Sequence, residues 1–102
     1  MDLHFDQAHL WHPYSQLPAA APALPVKSAE GVYLNLDDGR RLIDGMASWW
    51  ACIHGYQVAQ LDQAVQQQLS KMSHVMFGGL THQPAIDLCK KLVALTPENL
   101  QQ

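Results

Sequence analysis

The chain has 102 residues, a formal net charge of −3 and 15% charged side chains; that is the length of one domain, with no basic patch to neutralise phosphates, which excludes ordinary nucleic-acid binding. Its 48% hydrophobic content argues against disorder and promises a modest core, while a charge content below the usual quarter implies that some surface faces a partner. The longest apolar stretch, Leu17–Val26, carries three prolines and falls short of the roughly 20 residues that a bilayer needs.

The N-terminus (Met1-Asp2-Leu3-His4-Phe5-Asp6) is acidic and lacks the basic region of a secretory signal. Cys52 and Cys89 sit in unrelated contexts and make no disulfide framework, so a reduced, cytoplasmic setting is expected. Residues 1–16 lack sustained periodicity, with a short helix expected around Asp6–Trp11. Pro18, Pro22 and Pro25 make the stretch to Pro25 an extended connector. Val26–Glu30 reads as a short strand. Val32–Leu36 and Arg40–Ile43 flank Asp37-Asp38-Gly39, and Asp-Gly between two such runs predicts an antiparallel hairpin.

Gly45–Gly55 has no clean period and reads as loop with a helical turn. Leu61, Val65, Leu69 and Met72 recur every three or four residues, predicting an amphipathic helix over Val58–Met72 with a Gln-rich outer face. Ser73–His82 reads as an apolar loop broken by Gly78-Gly79. Pro84 then opens a second helix, striped by Ile86, Cys89, Leu92 and Val93 and stopped at Thr96-Pro97. The predicted fold class is thus an α+β fragment, a β-hairpin plus two helices behind an aromatic N-terminal arm. One hairpin does not stand alone in water, and the chain stops straight after its second helix, so a piece of something larger is expected.

Candidate chemistry is sparse. His9, His12, His54, His74 and His82 lack the spacing of a zinc site, and hydrogen-bonded loop or core histidines are the ordinary alternative. Cys52 and His54 lie too close in sequence for a thiol–imidazole pair, which normally meets across a fold. Asp37, Asp38 and Asp44 surround turns, where aspartate bonds the backbone. Gly78-Gly79 lacks the rest of a phosphate-binding motif. The aromatic rings are more informative. Trp11, Tyr14, Trp49 and Trp50 lie on arm or loop rather than on helix stripes. Such rings line a pocket or pack under a loop, and residue type alone leaves both open.

Three segments carry a resemblance: His9-Leu-Trp-His-Pro-Tyr14, Asp38-Gly-Arg-Arg-Leu-Ile-Asp-Gly-Met-Ala-Ser-Trp-Trp-Ala-Cys-Ile-His-Gly-Tyr56 and Met72-Ser-His-Val-Met-Phe-Gly-Gly-Leu-Thr-His82. Together they resemble the N-terminal region of the class III aminotransferases, over nearly the whole chain from His9 to Thr96. The Trp-His-Pro-Tyr arm and the tryptophan pair point to the branch that aminates 8-amino-7-oxononanoate in biotin biosynthesis. The resemblance implies a segment of a fold-type I, α/β, pyridoxal-phosphate-dependent transaminase working as a cytoplasmic homodimer. The reaction implied passes the amino group of S-adenosylmethionine to 8-amino-7-oxononanoate, giving 7,8-diaminononanoate.

It further implies that Tyr14 stacks on the adenine of the donor and that Trp49 lines the substrate pocket. Trp50 is a third substrate-binding candidate, with core packing as its equal alternative. Residues 1–25 would be arm and connector, and 26–102 an incomplete N-terminal part of the small domain, without the large cofactor-binding domain. Many class III members read Gly-His-x-His-Pro where this chain has Gly55-Tyr-Gln-Val-Ala59, which resets a helix start and little else. Lys27, Lys71, Lys90 and Lys91 match no cofactor-binding lysine. No catalytic, cofactor-binding or metal-binding residue is therefore expected here, and the chain alone is expected to bind no pyridoxal 5'-phosphate and to be inactive. The competing expectation is a complete small module that binds an adenine-containing or apolar ligand without reacting it, or docks through its helix faces. Neither a nucleic-acid nor a membrane partner is expected.

Overall fold

A computed structural model describes residues 1–100. The chain divides into two compact units, Met1–Gln63 and Ala64–Gln102. In the first unit, helix α1 spans Leu3–His9. It starts earlier than the Asp6–Trp11 expected because the Asp2 carboxylate accepts from the Phe5 N–H at 2.9 Å, the capping bond that satisfies an orphan donor at a helix start. After α1 the arm folds back on itself. His12 Nε2 lies 2.8 Å from Asp6 Oδ2, and Trp11 Nε1 donates to the Ser15 carbonyl at 2.8 Å. Gln7 ties the connector to α1 through the Ala19 carbonyl at 2.8 Å.

A three-stranded antiparallel sheet follows, formed in order by β1 (Val26–Glu30), β2 (Tyr33–Leu36) and β3 (Arg41–Ile43). The hairpin predicted from Asp38-Gly39 is β2–β3, and β1 joins it as a third strand, pairing Ala29 with Leu34 and Glu30 with Tyr33. The turn works as its sequence suggests. Gly39 takes φ +88°, and Asp38 accepts from the Arg40 N–H at 3.0 Å and from its guanidinium at 2.8 Å. The Arg41 guanidinium sits 3.8 Å above the centre of the Tyr33 ring, a cation–π contact. Leu36, 3% exposed, is the one buried hydrophobic residue among those described. The modest core expected from composition is therefore not formed.

Helix α2 covers Ala59–Leu69, shorter than the Val58–Met72 stripe. Ser70 caps its own retreat by donating to the Gln67 carbonyl at 2.8 Å, a local bond that competes with helix continuation. In the second unit, helix α3 covers Gln83–Leu95. The His82 ring nitrogen accepts from the Ala85 N–H at 3.3 Å, and Pro84 in the first turn loses no intrahelical bond. Thr96 ends it in extended backbone just before Pro97, as the clash with a following proline ring requires. Along the apolar stripes of both helices Leu61, Val65, Leu69, Ile86 and Leu92 remain exposed, and only Val93 is half-buried.

Candidate functional site

The segment between β3 and α2 positions the rings. Asp44 follows β3 directly, and its carboxylate gathers the loop: Oδ1 accepts from the Met46 N–H at 3.0 Å and Oδ2 from the Ser48 N–H at 2.8 Å. The Tyr56 hydroxyl also donates to Asp44 Oδ2 and pairs with the Ser48 hydroxyl. Tyr56 in turn is fixed to the sheet end by paired backbone bonds with Gly31, at 2.7 and 3.1 Å. Both ends of the loop are thus tied to the first unit's sheet.

Within this frame Ala47, Ser48, Trp49 and Trp50 take φ of +47°, +46°, +57° and +72°. Four successive side-chain-bearing residues in the left-handed region form a left-handed turn, closed by Trp50 N–H to Met46 O at 3.1 Å and Cys52 N–H to Ala47 O at 2.9 Å. L-residues resist that geometry by about 1–2 kcal/mol each, so the surrounding bonds must hold it. The helical turn expected over Gly45–Gly55 exists, but with the opposite hand.

The turn sets both tryptophans outward, Trp49 at 61% and Trp50 at 74% exposure. Tyr14, itself at φ +58°, meets Trp49 across 35 intervening steps of chain, with ring centroids 5.9 Å apart and planes inclined by only 19°. Trp50 lies 6.2 Å from Trp49 at 38°. The three candidate residues thus form one aromatic group, whereas Trp11 turns back on Ser15. Flat, exposed rings with polar edges suit a planar ligand bound by stacking. Asp44 and Tyr56, which carry the turn, were not singled out as a pair by sequence reading; nothing in the pattern links positions 12 apart.

Electrostatically the pair is coupled. The Tyr56 hydroxyl, aided by the Ser48 and Met46 N–H groups, holds the Asp44 carboxyl below the usual carboxylate range. The same carboxylate raises the Tyr56 hydroxyl above the ordinary tyrosine value. Cys52 and His54 line the same hollow as Asp44 and Tyr56; both cysteines of the chain are free thiols.

Lys27, Lys71, Lys90 and Lys91 are all exposed and make no ion pair among the described residues. A lysine that attacks a carbonyl cofactor needs a desolvated setting to shed its proton. None of the four lysines stands in such a setting here. Among the described residues no group of three His, Cys, Asp or Glu side chains is placed to hold a metal ion.

The family described as Aminotransferase class-III matches residues 14–102. The chain is 57% identical over 99 residues to the adenosylmethionine-8-amino-7-oxononanoate aminotransferase of Buchnera aphidicola subsp. Acyrthosiphon pisum, which covers 97% of this chain and 23% of that protein. The protein of the same name from Buchnera aphidicola subsp. Baizongia pistaciae is 54% identical, with the same coverage. Among solved structures, the adenosylmethionine-8-amino-7-oxononanoate aminotransferase of Methanocaldococcus jannaschii superposes with a TM-score of 0.88 at 31% identity, covering 97% of this chain and 23% of that one. The chain thus spans about a quarter of the length of the relatives it matches.

Proposed function

The chain belongs to the class III aminotransferase family, and from that premise we propose that it is the N-terminal segment of an enzyme that transfers the amino group of S-adenosylmethionine to 8-amino-7-oxononanoate. The product is 7,8-diaminononanoate, a step of biotin biosynthesis, with pyridoxal 5'-phosphate held by other parts of the longer protein. In this reading residues 1–25 are arm and connector, and 26–102 open the small domain. Tyr14 and Trp49 form a stacking wall for the adenine of the donor, with Trp50 beside them facing the apolar acyl chain. The cytoplasm is the proposed setting, and a homodimer the proposed assembly, with the exposed helix stripes as its candidate covered surfaces.

The observation that carries this reading is the Tyr14–Trp49 ring stack, set in a segment 57% identical to a protein of that name. An adenine and a long apolar chain both reward flat rings. The test is expression of the whole reading frame that contains these residues, followed by incubation with cofactor, S-adenosylmethionine and 8-amino-7-oxononanoate. Formation of 7,8-diaminononanoate is expected from the full protein and not from the 102-residue chain. A full protein that binds adenosine without amination moves the small binding module to the front.

A further inference from the structure

We propose that Asp44 and Tyr56 are positioning residues, a clasp that holds the Trp49–Trp50 turn in the left-handed conformation that presents its rings to a ligand. This inference deepens the substrate reading above and rests on it for the identity of the ligand, though the clasp itself can be measured without it. Four left-handed residues in succession, none of them glycine, are not self-supporting. What restrains them converges on one carboxylate: Asp44 takes the Met46 and Ser48 N–H groups and the Tyr56 hydroxyl. Tyr56 brings the far end of the loop into the same knot, because its backbone is bonded to Gly31 at the end of the sheet. The direction of Trp49 follows from the turn, and the stack with Tyr14 follows from the direction of Trp49. Neither Asp44 nor Tyr56 belongs to the ring group, so both act through it.

The decisive variant is Tyr56→Phe, which removes one hydroxyl and leaves both the ring and the Gly31 bonds in place. Asp44→Asn keeps one oxygen, an acceptor for one of the two N–H groups that bond separate oxygens of Asp44, and Asp44→Ala removes every acceptor. Each is made in the full-length protein. Circular dichroism reads the coupling of Trp49 with Trp50, rings close enough to couple at 6.2 Å. Steady-state kinetics reads KM for S-adenosylmethionine apart from kcat. Tyr56→Phe is expected to lose the tryptophan couplet and to raise KM about tenfold, the size of one bond to a charged group, with kcat within about twofold. Asp44→Asn is expected to retain part of the couplet that Asp44→Ala loses. A Tyr56→Phe protein with wild-type couplet and wild-type KM overturns the clasp, as does a fall in kcat at unchanged KM. If the wild-type protein makes no 7,8-diaminononanoate, the substrate reading has failed, and the couplet alone still decides the clasp.

Discussion

Asp44 and Tyr56 respond to pH in opposite directions, and the signs follow from their shared bond. Asp44 titrates below the ordinary carboxylate value because its ionised form accepts the Tyr56 hydroxyl and two backbone N–H groups. Its contribution is therefore present above the unfolded value and is lost as pH falls through the depressed one. Tyr56 titrates above its ordinary value because its neutral form donates to that carboxylate. Its contribution is complete below the unfolded value and is lost as pH rises through the raised one. The turn is thus clasped across the middle of the scale and released at both extremes. Cys52 and His54 line the same hollow, so the informative quantity is the wild-type spectrum minus that of Tyr56→Phe. That difference in tryptophan circular dichroism is expected to stay flat from about pH 5 to pH 9 and to shrink below about pH 4 and above about pH 10. A difference that instead follows a midpoint near neutrality would overturn the assignment of the response to Asp44 and Tyr56.

At the scale of elements, two glycines at similar φ have different duties. Gly39 turns the β2–β3 hairpin at φ +88°, and a Cβ added there meets nothing within 4 Å. Gly55 sits at φ +89°, and a Cβ there would lie 2.7 Å from the Gly31 carbonyl oxygen, which accepts the Tyr56 N–H. Gly39→Ala is expected to cost about 1 kcal/mol of stability in the full-length protein, the strain of a positive φ alone. Gly55→Ala adds a backbone clash and is expected to cost more than twice that, with loss of the tryptophan couplet; chemical denaturation of both variants gives the comparison. This difference also marks where sequence reading ends. Asp38-Gly39 announces its hairpin because the dipeptide and its flanking runs are contiguous, and α2 and α3 announce themselves by period. The left-handed turn is silent, because Met46 to His54 contains no glycine to signal a positive φ. Its supports, Tyr56 and Gly31, lie on either side of it in sequence. The stack of Tyr14 on Trp49 is equally silent to local pattern, and only the resemblance to a family joined the two in one pocket. The earlier start of α1 turns on a single cap at Asp2, which no stripe reveals.

For the molecule as a whole, the apolar faces decide how it behaves. Periodicity places Leu61, Val65 and Leu69 along α2 and Ile86, Cys89, Leu92 and Val93 along α3, as a core-facing helix requires, yet in the structure all of these but the half-buried Val93 stay exposed, and Leu36 alone is buried among the large hydrophobics described. The strand register and the loop clasp can form within the first unit, because the residues they join, from Val26 to Tyr56, all belong to it. Cooperative unfolding needs contacts that link one element to another, and those depend on burying the stripes. The 102-residue chain prepared alone is therefore expected to bind a hydrophobic dye strongly, to associate as its concentration rises, and to show no sharp endotherm in scanning calorimetry. The same residues inside the full-length protein are expected to lose the dye signal, because further chain then covers the stripes. A monodisperse monomer with a single sharp transition would contradict this, since it would require these faces to be satisfied without any cover. It would also favour the self-sufficient binding module, leaving the ring group of Tyr14, Trp49 and Trp50 to bind its ligand unaided.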